Sequence, residues 1–271
     1  MLEYLTLKRI VKPSTLLIAG LVVGCASGAV ETIENPSTLY QNGEFFRAAE
    51  IWEQQAQAGD PSAQFNLSTI YQTGRGVDRD LAISRRWLNR AALNNYAPAL
   101  HNLALIEIEK NQFKSAKTLL EKAVKQDFAA SLYTLGKFHQ EGIIGDVKPE
   151  LAAYYVRKAA NSGLDKAQYN LGKMYRDGFG VEQDDVQSFF WFLKAAKQGS
   201  RKAQVKVAKR FAKGLGAPKD NVKALTWVFI SIGSGSEALF ETKTKLLKIL
   251  SDAEIKAAKA EALILEEKFQ K

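Results

Sequence analysis

The chain has 271 residues, enough for one large domain or two small ones, and its apolar and charged fractions of 46% and 25% are those of a soluble globular protein. Only six prolines stand among abundant alanine, leucine and lysine, which favours helices over strands. The net charge of +9 comes with no nucleic-acid-reading motif, so nucleic acid is not an expected partner, and a single cysteine excludes an internal disulfide.

The first segment reads as a targeting signal. Lys8, Arg9 and Lys12 precede the apolar run Leu16-Leu-Ile-Ala-Gly-Leu-Val-Val23, and Gly24-Cys25 come directly after it. That run is too short for a bilayer core, which needs about 20 residues, and fits the apolar region of an export signal. Val22-Val-Gly-Cys25 resembles a bacterial lipobox, with valine in place of the usual leucine at its first position. The resemblance implies that residues 1–24 are removed, that Cys25 is lipidated, and that residues 25–37 tether the remainder of the chain. The competing expectation is a plain signal peptide cut nearby, for instance after Ala29. Ala26 behind the cysteine resembles the outer-membrane sorting class.

From about residue 38 the chain repeats itself. Ala63-Gln-Phe-Asn-Leu-Ser-Thr-Ile-Tyr71 nearly matches Ala167-Gln-Tyr-Asn-Leu-Gly-Lys-Met-Tyr175, and related segments begin at Ala99, Ser131 and Ala203. The steps between the five starts are 36, 32, 36 and 36 residues, a period that signals stacked helix pairs. Within each unit, positions 0, 4 and 8 share one face of a first helix. That helix runs into Gly74-Arg-Gly76, Gly178-Phe-Gly180 or Gly214-Leu-Gly216. Asp80, Asp184 and Asp220 are placed to cap a second helix. On it a small residue (Ser84, Ala116, Ala152, Ser188, Ala224) is followed three positions later by Trp87, Leu119, Tyr155, Trp191 or Trp227, which are expected to pack the core. The unit from 99 lacks the glycine turn and is four residues shorter, while the unit from 131 carries a longer turn through Pro149. Asn42 to Gly59 reads as a second helix with a short first helix before it. Beyond Gly235 the repeat stops, and Ser251-Asp-Ala-Glu254 is a capping box opening a last helix.

Together these residues resemble the Sel1-like repeat, a relative of the tetratricopeptide repeat, over roughly residues 38–235. The resemblance implies an all-α, right-handed superhelix (solenoid) of antiparallel helix pairs, closed by C-terminal capping helices over 236–271. It also implies a scaffold that binds other proteins on the concave face lined by first helices, not an enzyme. Relatives credited with penicillin-binding or hydrolytic activity staple each repeat with a disulfide, which this chain cannot form.

Little else points to chemistry. The glycine turns lack the third glycine and the Gly-Lys-Ser/Thr ending of phosphate loops. His101 and His139 stand at non-equivalent positions and are expected to be ordinary surface or groove residues, so no metal, cofactor or small-molecule substrate is expected. At position 3 of the units stand Asn66, Asn102, Thr134, Asn170 and Lys206. Related repeats use an asparagine here to hold the backbone of an extended ligand, which suits a group that donates and accepts at once. The resemblance thus implies that the three asparagines hold such a ligand; the other reading is that they help the helices pack. Between Lys194 and Lys223 there are ten basic residues and one acidic, Asp220. Lys202, Lys206, Lys209 and Lys213 share a helix face, and Lys173 takes the position equivalent to Lys209. They form either a groove for an acidic protein segment or a solvated face. The expected function is that of a scaffold in a bacterial envelope assembly, lipid-anchored at the outer membrane and facing the periplasm. The alternative is a binding protein for an anionic envelope polymer, peptidoglycan or acidic polysaccharide.

Overall fold

The structure, a computed structural model, describes residues 34–233 and 239–269. The expected export signal, Cys25 and the expected tether as far as residue 33 lie outside the described residues. Among those described there are fourteen α-helices and no strand. In chain order they are α1 (Pro36–Gln41), α2 (Phe45–Gln57), α3 (Pro61–Thr73), α4 (Leu81–Leu93), α5 (Ala97–Glu109), α6 (Phe113–Val124), α7 (Ala129–Glu141), α8 (Pro149–Asn161), α9 (Asp165–Asp177), α10 (Asp185–Lys197), α11 (Arg201–Lys213), α12 (Asn221–Gly233), α13 (Phe240–Ile249) and α14 (Asp252–Phe269). The five first helices are therefore α3, α5, α7, α9 and α11, each beginning two residues before the expected start of its unit. The first helix of all begins at Pro36 instead of 38, because Asn35 accepts a hydrogen bond from the Ser37 N–H (2.9 Å) and proline suits the opening turn.

The helices fall into two compact units, Met1–Gln126 and Asp127–Lys271. In the first, each helix packs on the next from α1 to α6; in the second, the same holds from α7 to α12, after which both α13 and α14 pack on α12.

The repeat positions explain this packing. Position 0 is buried in every unit (Ala63, Ala99, Ser131, Ala167, Ala203), and so is position 4 (Leu67, Leu103, Leu135, Leu171, Val207). Position 5 is kept small because the paired second helix presses on it: a Cβ on Gly172 would run into the ring of Phe192. The small residue of that helix fastens the pair, with Ser84 Oγ donating to the Ser68 carbonyl (2.7 Å) and Ser188 Oγ to the Gly172 carbonyl (2.6 Å). In the units from 63, 167 and 203 position 1 is a buried glutamine that donates back to the end of the preceding second helix, as Gln64 does to the Ala56 carbonyl and Gln168 to that of Ala160, while Leu100 and Leu132 take the same buried position in the other two. Asn94 and Gln198 then donate onward to those same glutamines. The amide ladder keeps polar groups satisfied where helices meet.

The paired glycines have two separate tasks. Gly74, Gly178 and Gly214 end their helices in the left-handed region. The second glycine of each pair lies against the start of the preceding second helix. A Cβ on Gly180 would overlap the Pro149 carbonyl, one on Gly216 that of Asp185, and one on Gly76 the backbone of Phe45 and Phe46. The unit from 99 does without this turn: Asn111 takes a left-handed conformation (φ 60°) between α5 and α6.

Asp80 and Asp184 cap α4 and α10 as expected, and Asp220 accepts from the Lys223 N–H at the start of α12. The Ser251–Glu254 capping box is formed. Trp191 and Trp227 are buried, whereas Trp87 is half-buried under the guanidinium of Arg90, 4.6 Å from its ring centroid. Leu239, Leu246, Ala258 and Ala262 from the end pair join the core around Trp227, whose ring stacks on Phe269.

Candidate protein-interaction surface

Of the residues expected at the concave face, Asn66 on α3 and Asn102 on α5 are half-buried in the first unit. Asn170 on α9 is also half-buried, and its amide donates to the Tyr133 hydroxyl on α7 and to the Lys166 carbonyl (3.0 Å). Both contacts of its amide nitrogen are thus made within the fold. Thr134, the equivalent residue on α7, is fully buried and donates to the Ala130 carbonyl.

The lysines tell a different story. Lys206 on α11 is half-buried, and its ammonium is pushed below the usual lysine range, first by desolvation and then by the charges of Arg176, Lys209, Lys173 and Arg210. Lys173, Lys206 and Lys209 thus gather on neighbouring first helices. Lys202 and Lys213 are exposed near the two ends of α11. The carboxylate inside this group belongs to Asp177, which receives two hydrogen bonds from the Arg176 guanidinium (2.6 and 2.7 Å). That pairing, helped by Lys173 and Lys206, holds the Asp177 carboxyl below its ordinary range.

Two arginines of this region escaped the sequence reading. Arg176 follows Lys173 by three residues and so faces the same way. Arg210 sits at position 7 of its unit, where the other units carry Ile70, Ile106, Phe138 and Met174. It is 5% exposed, lies over the Phe192 ring, and donates to the Asp185 carboxylate (3.0 Å) and to the Asp185 and Leu215 carbonyls. The signal that would have found it is its register: a charged residue in an otherwise apolar position.

His101 and His139 correct another expectation, because both are buried instead of lying on the surface or in a groove. Burial pushes His101 down to about 4, so it is neutral at pH 7. His139 lies parallel to Tyr155, ring centroids 5.8 Å apart. Among the described residues no group of three or more His, Cys, Asp or Glu could hold a metal ion, and no helix is long and apolar enough to cross a membrane.

Stacked antiparallel helix pairs, small residues at fixed register and paired-glycine turns define a helical-repeat protein of the tetratricopeptide-like class. The particular family emerges from sequence comparison: the Sel1 repeat matches residues 61–96, 129–164, 165–200 and 201–228, just over half of the chain, and the chain belongs to the Sel1 repeat family. The unit over α5 and α6, which lacks the glycine turn, is not among the matched segments. Among solved structures, a Sel1 repeat protein from Oxalobacter formigenes is 24% identical, with a TM-score of 0.66 over 82% of this chain and 95% of its own. A protective antigen of uropathogenic Escherichia coli with an SLR fold is 22% identical, with a TM-score of 0.54 over 87% of this chain and 62% of its own. At these identities the likeness concerns the fold. The chitin synthase regulator SKT5 of Saccharomyces cerevisiae is 36% identical over 69 residues, 24% of this chain, which spans only 10% of that curated relative. Sel1 repeat proteins generally mediate protein–protein interactions and are typically non-enzymatic.

Proposed function

We propose that this protein is a lipid-anchored scaffold of the bacterial envelope, held through Cys25 at the outer membrane and recruiting an acidic protein segment from the periplasmic side. The supporting observation is the crowding of Lys173, Arg176, Lys206 and Lys209 on α9 and α11. A half-buried lysine subject to the charges of Arg176, Lys209, Lys173 and Arg210, with Asp177 as the carboxylate inside the group, is an unfavourable arrangement for the isolated fold. An anionic partner would relieve it and would be steered toward it from solution. The first helices carry none of the large apolar residues left exposed among the described residues, so recognition on this face is polar. The lipobox-like Val22–Cys25 supports the anchor. The same cations, continued by Lys202 and Lys213 on α11, favour as a second reading an anionic envelope polymer.

Capture from crosslinked cells separates these readings. The tagged protein is compared with a Lys206→Glu/Lys209→Glu double variant. A discrete protein recovered by the wild type and lost with the variant is the expected result. Recovery of wall or polysaccharide material alone transfers the case to the polymer. Identical recovery by both baits removes the cationic face from the account.

A further inference from the structure

We propose that the open face of α8 and α10 is a lipid-docking surface, which lays the Asp127–Lys271 unit against an anionic bilayer. Tyr154 and Phe190 hold the same position of consecutive second helices, two residues after the small residue, and both are exposed, at 53% and 44%. Val186 is exposed one turn before Phe190. One turn after each aromatic comes a lysine poised above its ring: Lys158 Nζ lies 6.0 Å from the Tyr154 centroid, and Lys194 Nζ lies 4.7 Å from that of Phe190. An aromatic body with an ammonium held over it is the combination that suits a membrane interface, where the ring enters the headgroup layer and the lysine stem carries its charge back to the phosphates.

Charge and rigidity support this occupant. Lys158 is neutralised by Asp127 and Asp185 by Arg210, while Lys194, Lys197 and the exposed Arg157 add positive charge against Glu150, Glu182 and the helix-capping Asp184. Phe190 is braced edge-on by the buried Trp191, centroids 5.1 Å apart, so the ring is presented without an ordering cost. A partner helix would need a continuous apolar stripe. Here the apolar side chains stand singly, and the cleft reached by both α8 and α10 is lined by polar groups, among them Arg157, Glu182 and Gln187. If Cys25 is lipidated, the chain is held at the bilayer, which raises the effective concentration of a weak second contact. Only this last argument rests on the anchored reading.

The test uses the full-length protein in cells, with photoreactive p-benzoyl-phenylalanine placed at 190, at 154 or, as a control, at 206. Radiolabelled phospholipid adducts are expected at 190 and 154 and not at 206. Adding Lys194→Glu and Lys197→Glu should lower the adduct yield at 154 by about fivefold per lysine, and both residues are exposed enough to leave the fold intact. Adducts to protein alone at 190, no adduct there, or equal lipid labelling at 206 each overturns the proposal. Membrane fractionation of a Cys25→Ser variant reads the anchor separately, so loss of the anchor and loss of the docking face are distinguishable.

Discussion

The surface that α9 turns toward α8 and α10 differs in kind from the surface it leaves open. Toward its neighbours it presents Ala167, Leu171 and Gly172, together with a glutamine whose amide donates to the Ala160 carbonyl and accepts from Gln198. Outward it presents Lys173, Arg176 and Asp177, whose charges meet those of α11. The second helices reverse the pattern: their open side shows Tyr154 and Phe190, each with a lysine over its ring. Stacking thus rests mainly on small residues at fixed register, with the pair between the buried Arg210 of α11 and Asp185 of α10 as a charged exception. The open faces are consequently free to carry whatever chemistry recruitment requires.

The strongest way to break this division is to put a methyl group into the stack. Gly180→Ala combines a left-handed φ of 67° with overlap onto the Pro149 carbonyl, and should destabilise the protein by about 3 kcal/mol. Urea unfolding measures it, and Gly199→Ala, with nothing near its Cβ, is the control for φ alone.

Acid should come next. The His101 value in the folded protein, about 4, lies below that of an unfolded histidine near 6.5. Between those values the unfolded chain binds a proton that the folded chain refuses. Stability is therefore lost as pH falls through 6.5 toward 4, with a slope approaching about 1.4 kcal/mol per pH unit. His101→Gln should flatten that window in a series of unfolding curves.

A smaller change is confined to one element. Asp184 accepts from the Val186 and Gln187 N–H groups (2.8 and 2.9 Å), so Asp184→Ala should cost about 1 kcal/mol and fray the end of α10 that carries Val186. Hydrogen exchange localised to residues 185–188 would show it.

The division also explains what the sequence made legible. A 36-residue step, paired glycines and capping aspartates are local signals, and they marked each helix pair and the closing capping box. Helix starts were less visible, because Tyr96, Phe128, Leu164 and Ser200 begin α5, α7, α9 and α11 with no side-chain cap bond. The site was legible as a lysine-rich stretch, but counting charge concealed that Arg210 points into the core and that Arg176 belongs with the lysines. The burial of His101 was hidden too, because it depends on which neighbour covers position 2 of a unit. His139, by contrast, stands at position 8, on the face of the buried Ser131 and Leu135, and its register already pointed inward. Asn170 stands half-buried like its sequence equivalents Asn66 and Asn102, yet only the folded chain reveals Tyr133 beside its amide.

The central claim, that the cations on the open face of α9 and α11 serve recruitment and not the fold, is tested most directly by Lys206→Met, with thermal unfolding and crosslinked capture measured on the same preparation. Removing one charge from a crowd of like charges should leave stability unchanged or raise it by about 0.5 kcal/mol, while capture of the partner falls. A variant that melts lower, or that captures its partner as well as the wild type does, would contradict the account.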